Sequence, residues 1–328
     1  MKSDNDGWGL TDRYILRTAN GGISWVNTTP GDVFPAESEL HGFFLDANRG
    51  WVVLPSADQA TGTLYHTIDG GNTWDIEPVP FAAVKLFFID GQTGWALADR
   101  GSFSGSQAVD IYRTTDAGTR WVNVTQATSE QGENTNPPGV AGPLPYTGIK
   151  NTISFRSPDT GWVAGSVSAQ NESWLFITRD GGLTWSRQTL DLPPGAQGSL
   201  LSIDAPMFMS QQDGLLPVFL YREGELFTLY VTRDGGSTWA ATTPVPVSGE
   251  MDCVSFTSCR IWNGNTIAIT EDGGQNWQQV KTNVNLQQTL VQLDFTSPQV
   301  GFALSIANNG QSTLYGTSDS GRTWTPLW

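Results

Sequence analysis

A nine-residue motif that occurs seven times along the chain constrains the fold more than any other feature of the sequence. Each copy has threonine at its second position, glycine at its sixth and tryptophan at its ninth. The fourth position is aspartate in six copies and Asn20 in the first. The copies are RTANGGISW (17–25), HTIDGGNTW (66–74), RTTDAGTRW (113–121), ITRDGGLTW (177–185), VTRDGGSTW (231–239), ITEDGGQNW (269–277) and GTSDSGRTW (316–324). This regularity indicates a repeat architecture, in which every unit has the same local structure.

A second, shorter pattern precedes each copy of the nine-residue motif, which we call the box. In five units a phenylalanine is followed by a glycine six residues later, and an apolar residue comes next. These pairs are Phe44 and Gly50, Phe88 and Gly94, Phe155 and Gly161, Phe208 and Gly214, and Phe295 and Gly301. Met1 and Gly7 hold the same spacing in the first unit, and Cys253 and Cys259 hold it in the sixth. The pattern predicts a turn between the first two strands of each unit.

The last unit shows the predicted strands most clearly. LVQLDFTSP, VGFALSI, STLYGTSDSG and RTWTPLW are four short alternating runs separated by turn residues, which is typical of four strands. Seven units in 328 residues have a mean length of about 47 residues, which matches the roughly 40–50 residues of propeller blades. One four-stranded sheet cannot bury both of its faces, so such units stack around a central channel.

The sequence therefore predicts an all-β, seven-bladed β-propeller of four-stranded antiparallel blades that each carry one box, in a single domain over residues 1–328. The predicted blades are approximately 1–28, 40–79, 84–125, 150–190, 203–245, 251–281 and 289–328. The first blade begins where its innermost strand should be ending, so we expect it to be incomplete. Either the native protein continues upstream to an export signal or lipid anchor, or residues 1–6 form a rudimentary strand in a short blade.

Each position of the box has a structural explanation. The aspartate side chain can accept hydrogen bonds from the following backbone amides, the glycines allow the chain to reverse, and the tryptophan can pack between neighbouring blades. The residues with these predicted structural roles are Asn20, Trp25, Asp69, Trp74, Asp116, Trp121, Asp180, Trp185, Asp234, Trp239, Asp272, Trp277, Asp319 and Trp324. A calcium loop needs several oxygen ligands, and zinc would need partners for His66, which the other boxes do not repeat. We expect no metal and no cofactor.

The charge of the chain excludes some classes of partner. Lys and Arg number 17 against 32 Asp and Glu, which gives a formal net charge of −15. Nucleic acid binding needs a basic surface, so it is excluded. No apolar run approaches the roughly 18 residues that a membrane span needs. We expect a monomer whose acidic surface suits a protein or peptide of basic character.

Together, the boxes and segments such as FRSPDTGW and FIDGQTGW resemble the Asp-box (BNR-type) propellers of the photosystem II stability/assembly factor family and its bacterial relatives. The resemblance covers essentially the whole chain and implies an exported seven-bladed propeller that works by binding protein. The photosynthetic members look to use a basic, arginine-bearing surface, from which this acidic chain departs. A relative in a non-photosynthetic bacterium fits better.

Catalysis is the less favoured interpretation, and no catalytic residue is assigned. The G-x-S-x-G nucleophile signature is absent, and two histidines offer little for a triad. Asp-boxes also occur in sialidases, and a glycosidase needs only two suitably spaced carboxylates. The alternative function is therefore a glycan-binding or glycoside-hydrolysing module, sialidase-like or another exo-glycosidase.

The box turns and the Phe-x5-Gly turns should lie on one face of the propeller, which leaves the longer, more varied loops on the other. The longest crossover, TQATSEQGENTNPPGVAGPLPYTGIK (125–150), is proline-rich and predicts a stiff flap. Aromatic residues near carboxylates on these loops suit a basic peptide or a carbohydrate. The predicted binding residues are Phe34, Phe103, Tyr146, Trp174, Tyr221 and Glu223.

The two cysteines flank the inner turn of the sixth unit. Cys253 and Cys259 are the only cysteines, and their positions across one hairpin bring them within reach of a disulfide. A disulfide is typical of an exported protein, so we expect an extracytoplasmic location: secreted, periplasmic or anchored at the cell surface. The opening MKSDNDGWGL has no apolar export segment, so the signal would lie outside this chain.

Overall fold

The computed structural model describes residues 1–35, 39–131, 137–247, 249–286 and 288–327. In these residues the regular structure is β-strand, apart from one 3-10 turn at Ser129–Gln131. No helix in this part of the chain is long and apolar enough to cross a membrane. The all-β class predicted from the sequence is confirmed.

The strands follow one another in seven groups. The first three groups are β1 Gly7–Leu10, β2 Ile15–Thr18, β3 Val26–Asn27; β4 His41–Phe44, β5 Gly50–Pro55, β6 Gly62–Thr67, β7 Asp75–Val79; and β8 Val84–Phe88, β9 Gly94–Phe103, β10 Ser106–Thr114, β11 Val122–Ala127. The next two are β12 Ile149–Phe155, β13 Gly161–Ser166, β14 Leu175–Thr178, β15 Ser186–Arg187; and β16 Leu200–Ile203, β17 Met207–Phe208, β18 Gly214–Tyr221, β19 Glu225–Thr232, β20 Ala240–Ala241. The last two are β21 Met251–Cys253, β22 Cys259–Asn263, β23 Thr266–Thr270, β24 Gln278–Lys281; and β25 Leu290–Phe295, β26 Gly301–Ile306, β27 Ser312–Thr317, β28 Thr325–Pro326.

Apart from β16 and β17, consecutive strands of each group pair antiparallel, which makes each group a blade, and one bridge between Ser166 and Ser202 joins the fourth blade to the fifth. The inner strand of the fifth blade is split into β16 and β17, which both pair with β18. It begins at Leu200, three residues before the blade start predicted at 203. The first blade has β1, β2 and β3 in the described residues, one strand fewer than the other blades. The seven strand groups agree with the predicted number of blades.

The core lies between the blades, where the second strand of one blade meets the first strand of the next. Trp95 of the third blade stacks on Phe155 of the fourth, with ring centroids 3.5 Å apart and planes within 4°. Its indole nitrogen donates to the Gly181 carbonyl in the box of that next blade at 2.9 Å. Trp51 repeats the arrangement one blade earlier, stacking on Phe88 at 3.8 Å. Burying an indole of about 150–250 Å² contributes at most about 4–6 kcal/mol.

The sixth blade replaces this tryptophan with Arg260. The guanidinium group has no solvent exposure and lies over the Phe295 ring of the seventh blade, 5.3 Å from its centroid. It donates to the Pro298 carbonyl at 2.7 Å and to the Glu271 carboxylate at 2.7 Å. A cation that lies on an aromatic face and donates to neighbouring oxygens can fill the place of an indole. The sequence analysis did not anticipate this substitution.

The first and last blades close the ring through the amino terminus. The Met1 amino group donates to an Asp294 carboxylate oxygen of β25 at 2.8 Å. The Met1 sulfur covers Gly7, as the Phe88 ring covers Gly94 in the third blade. Met1 thus occupies the last position of the missing inner strand.

Candidate functional site

The box residues form hydrogen-bonded turns. In the second box, Asp69 accepts hydrogen bonds from the Thr67 hydroxyl at 2.9 Å, the Thr73 amide at 2.9 Å and the Thr73 hydroxyl at 2.7 Å. The Thr73 bonds are the main cause that lowers the pKa of Asp69 below its usual value. In the first box the uncharged Asn20 side-chain oxygen accepts from the Thr18 hydroxyl and the Ser24 amide in the same way. The side-chain oxygens of the box are therefore occupied within the turn.

A second contact fixes each box against the first turn of its own blade. The amide of the fifth box residue donates to a carbonyl of that turn in all seven blades, at 2.8 to 3.0 Å. The fifth residue has a left-handed backbone, and two of the seven are not glycine: Ala117, with φ 61°, and Ser320, with φ 64°. The box residues thus have the contacts of structural residues rather than of a reaction centre.

The box tryptophans differ more from one another than the motif suggests. Trp185 and Trp324 are fully buried, and the other five rings are partly exposed. Trp74 donates from its indole nitrogen to the Thr28 carbonyl of the preceding blade at 2.7 Å. Contact with a neighbouring blade is as expected. The tryptophans that follow Gly50, Gly94 and Gly161 are also fully buried.

His66 is a packing residue in this structure. Its ring stacks on Trp51 with centroids 4.8 Å apart and planes within 11°. Burial lowers the pKa of His66, while the Asp75 carboxylate opposes that shift. In the described residues no group of three or more His, Cys, Asp and Glu side chains is placed to hold a metal ion.

The two ends of the propeller differ in their turns. One end, the box face, carries the box turns and the turns between the first and second strands. The other end, the loop face, carries the turns between second and third strands and the crossovers between blades. The β9–β10 hairpin reaches the loop face and places Phe103 at its tip, where the side chain is 80% exposed. Phe103 is the most exposed of the predicted aromatic binding residues.

The long crossover is held against the loop face by Lys150. Residues 132–136 of this crossover lie outside the described residues. The Lys150 ammonium is buried and lies within hydrogen-bond distance of four backbone carbonyls, those of Gln107, Tyr146, Thr147 and Gly148. The Trp174 indole nitrogen donates to the Thr147 carbonyl at 2.8 Å. Burial lowers the pKa of Lys150 to about 7. The described part of the flap is therefore anchored to the third and fourth blades.

Two of the predicted binding residues lie inside the protein. Phe34 and Trp174 are each 4% exposed. Phe34 packs on Tyr65, with ring centroids 5.0 Å apart, and Trp174 packs on Phe176 at 4.7 Å. The sequence predicted both residues in a ligand-binding surface, and that prediction is wrong. Each side chain packs beneath its own loop, which covers it. Tyr146 is partly exposed beside the Lys150 ammonium.

Tyr221 and Glu223 lie at the β18–β19 turn of the fifth blade, on the loop face. Tyr221 is 40% exposed and pairs across the hairpin with Glu225. Burial and the neighbouring Glu225 carboxylate raise the pKa of Tyr221 to about 12. Glu223 is exposed at the tip. The fourth blade separates this hairpin from Phe103, so the predicted residues do not form one cluster.

A cavity on the loop face adds residues that the sequence analysis did not assign. Its volume is about 340 Å³, and it lies where loops of the fifth, sixth and seventh blades meet. Burial raises the pKa of Glu250, and Asp204 adds to that shift. The lining residues are Glu225, Gly249, Glu250, Trp262, Asn263, Gly264, Leu286 and Leu290. Two carboxylates beside an indole and two leucines suit a cationic group on an apolar stem.

The two cysteines form the predicted disulfide. Cys253 and Cys259 are directly opposite each other in the β21–β22 pair and are bonded. They replace the phenylalanine and glycine of the other blades. The bond closes the first turn of the sixth blade on the box face.

Comparisons with known proteins agree with this fold. No protein-family model matches the chain. The chain is 24% identical over 323 residues to the chloroplastic photosystem II stability/assembly factor HCF136 of Arabidopsis thaliana, which covers 93% of this chain and 71% of that protein. It is 29% identical over 133 residues to the photosystem II assembly lipoprotein Ycf48 of Synechococcus sp. (strain CC9902), covering 38% of this chain and 35% of the relative.

A solved structure described as YCF48 bound to D1 peptide has a TM-score of 0.58 to this chain at 17% identity. The match covers 98% of this chain and 89% of the other. An identity this low shows the fold alone, whereas the sequence match to HCF136 runs along almost the whole chain. The chain is therefore a homologue of the photosystem II stability/assembly factors and shares their β-propeller fold.

Proposed function

We propose that this protein is a non-catalytic scaffold that binds a protein or peptide segment through its loop face, in the manner of an assembly factor. The observation that carries the proposal is the acidic cavity between the fifth, sixth and seventh blades, where Glu225 and Glu250 lie beside Trp262. A lysine or arginine side chain entering it would pair with the carboxylates and lay its stem on the apolar wall.

The similarity to a propeller that binds D1 peptide supports a peptide as the ligand class. The charge of this chain favours a basic partner, because its net charge is −15 and the cavity is lined by two glutamates. Tyr221 and Glu223 extend the surface beside the cavity, since Tyr221 lies opposite Glu225. Phe103 offers a separate apolar contact on the third blade. The segment would lie across the loop face with its basic residue in the cavity.

An extracytoplasmic location belongs to the same proposal. The disulfide between Cys253 and Cys259 supports an oxidising compartment, where such bonds persist. The similarity to an assembly lipoprotein points the same way. Fractionation of the source cells would test it, since recovery of the chain with the cytosolic fraction, both thiols reduced, would contradict it.

The experiment is a binding screen with matched variants. A library of basic, neutral and acidic peptides is titrated against the protein by calorimetry, together with a glycan array and chromogenic glycosides. We expect basic peptides to bind, with the dissociation constant rising about tenfold or more in Glu225→Gln/Glu250→Gln, because each lost charge pair at a partly buried site costs on the order of 1–2 kcal/mol.

The control is Asp159→Asn, which removes one carboxylate from an exposed position of the box face. It should leave the affinity unchanged. Equal weakening by the control would show a general charge effect rather than a site. Binding of glycans or release of chromophore, with no peptide bound, would replace this proposal with the carbohydrate alternative.

A further inference from the structure

A row of three side chains beside the acidic cavity adds a requirement to the segment that binds there, and this inference rests on the proposed function. The row consists of Leu200, Tyr221 and Glu225, one residue from each of β16, β18 and β19. Leu200 is directly opposite Tyr221 in the β16–β18 pair, and Tyr221 is directly opposite Glu225 in the β18–β19 pair. Directly opposite residues of antiparallel strands point to the same face of the sheet, so the three side chains lie side by side across the fifth blade.

The row faces the sixth blade. Phe219 lies two residues before Tyr221 in β18, so its side chain is on the same face of the sheet. Phe219 packs against the apolar core that contains Ile261 of the sixth blade. The row continues that face at the loop-face end of the strands, and its member Glu225 also lines the cavity. One wall of the cavity therefore continues directly into Tyr221 and Leu200.

Two members of the row form an exposed apolar patch. Leu200 and Tyr221 are each 40% exposed, whereas Leu201 and Leu220, next to them in the same strands, are each 1% exposed. Single exposed apolar residues are ordinary on a protein surface, but neighbours across a sheet make a continuous patch that a ligand can cover. The patch lies directly beside the Glu225 carboxylate.

The Tyr221 hydroxyl connects the patch to the acidic end of the row. Burial, followed by a hydrogen bond between this hydroxyl and the Glu225 carboxylate, raises the pKa of Tyr221 to about 12. The phenol is therefore protonated at neutral pH and donates to Glu225. A carboxylate can accept several hydrogen bonds, so Glu225 keeps acceptor sites for a cation in the cavity.

The spacing of the strands sets the distance between the apolar patch and the carboxylate. Neighbouring strands are about 4.7–4.9 Å apart, so the midpoint between Leu200 and Tyr221 lies about 7 Å from Glu225 along the row. In an extended peptide, residues two positions apart are about 6.4–6.8 Å apart and point to the same side. A basic residue at the cavity and an apolar residue two positions away therefore match the row. An apolar residue at the adjacent position would point away from it.

We propose that the segment bound at the loop face is extended and carries an apolar residue two positions from the basic residue that enters the cavity. The basic side chain pairs with Glu225 and Glu250, and the apolar side chain covers Leu200 and Tyr221. The partner is thus a segment with basic-x-apolar spacing rather than any basic peptide. The patch supplies a discrimination between basic segments that charge alone does not provide.

The test compares two capped pentapeptides of the same composition, each titrated into the full chain by calorimetry. Acetyl-Leu-Thr-Lys-Thr-Leu-amide has leucines two positions from the lysine in both chain directions, and acetyl-Thr-Leu-Lys-Leu-Thr-amide has them at the adjacent positions. We expect the first peptide to bind at least about fivefold more tightly, because only its leucines reach the patch while the lysine is in the cavity.

Matched leucine variants locate the contact. Leu200→Ser should weaken binding of the first peptide about fivefold and leave binding of the second unchanged. Leu183→Ser is the control, at a leucine that is 59% exposed in the fourth box on the opposite face, and it should change neither affinity. Equal weakening of both peptides by Leu200→Ser would show a general effect on the fold and would overturn the assignment of the patch.

A third peptide separates this inference from the proposed function. Acetyl-Leu-Thr-Gln-Thr-Leu-amide keeps the spacing without the charge and should bind at least about tenfold more weakly than its lysine counterpart. If it binds equally well, or if none of the three peptides binds, the proposed function fails and this inference fails with it. If both lysine peptides bind equally and the glutamine peptide does not, only the spacing inference is overturned. The peptide comparison needs no variant, so it decides the matter even if Leu200→Ser does not fold.

Discussion

Replacing Asp180 in the fourth box tests whether the box carboxylate acts through hydrogen bonds or through its charge. Asp180 accepts from the Thr178 hydroxyl at 2.8 Å, the Thr184 amide at 2.9 Å and the Thr184 hydroxyl at 2.6 Å. Each such bond contributes about 0.5–1.5 kcal/mol net, so Asp180→Ala should lower the free energy of unfolding by about 2–4 kcal/mol. Asp180→Asn should cost less than about 1 kcal/mol, because Asn20 in the first box keeps three bonds: its oxygen accepts from the Thr18 hydroxyl and the Ser24 amide, and its nitrogen donates to the Ser24 hydroxyl.

The assay is urea unfolding followed by far-ultraviolet circular dichroism, with the wild type and both variants measured at pH 7 and at pH 2.5. Burial by itself would raise the pKa of Asp180, but hydrogen bonds from Thr184 and Thr178 outweigh it and lower the pKa below 3.8. A lowered carboxylate pKa means that the stabilisation is present above the unfolded-state value and is lost as the pH falls through the folded-state value. The difference between wild type and Asn variant should therefore shrink in acid.

The decisive comparison is between the two variants. If Asp180→Asn destabilises the protein as much as Asp180→Ala, the charge stabilises the turn rather than the hydrogen bonds. That result would refute the explanation that the box turn does not need a charged residue. Peptide binding provides a second check. Because Asp180 lies on the box face, the folded Asn variant should bind loop-face peptides with unchanged affinity.

Two further predictions concern the buried lysine and the disulfide. The pKa of Lys150 is about 7 in the folded protein, against a reference value of 10.5. Between these two pH values the unfolded chain binds more protons than the folded protein. The free energy of unfolding of the wild type should therefore rise above pH 7 by up to about 1.4 kcal/mol per pH unit. Lys150→Met should lose this rise, and parallel urea midpoints for both proteins from pH 7 to 9.5 would refute the assignment. The Cys253–Cys259 bond closes a loop with a sequence separation of 6, and replacing both cysteines with serine should cost about 2 kcal/mol in the loop-entropy description. Reductant should lower the wild-type urea midpoint and leave the double variant unchanged, whereas an equal shift in both would contradict the prediction.

The sequence predicted the candidate site only in part. It predicted Phe103 and Tyr221 on loops, and they are the last residues of β9 and β18, beside the hairpin turns. It could not separate them from Phe34 and Trp174, since an aromatic residue on a loop can equally face solvent or pack beneath its own backbone. Glu250 and Trp262 gave no local signal. They meet in one cavity only because crossovers of neighbouring blades converge there.

The arginines show the same limit. Arg260 directly follows Cys259, and nothing near it in the sequence indicated that it would lie buried on Phe295 and donate to a carbonyl of the next blade. That role depends on a residue 35 positions away being stacked beside it by the ring geometry. The same geometry explains why Trp51 and Trp95 are more buried than most box tryptophans.

The sequence by itself determined the repeat, the short strands of each unit, the turns that join them and the disulfide. All of these follow from residues close together in the chain, whose spacing sets strand length, turn conformation and register. The tertiary structure alone decided which aromatics are covered and which carboxylates meet in a cavity. Those features arise between blades, from segments that are distant in sequence and become neighbours only when the ring closes.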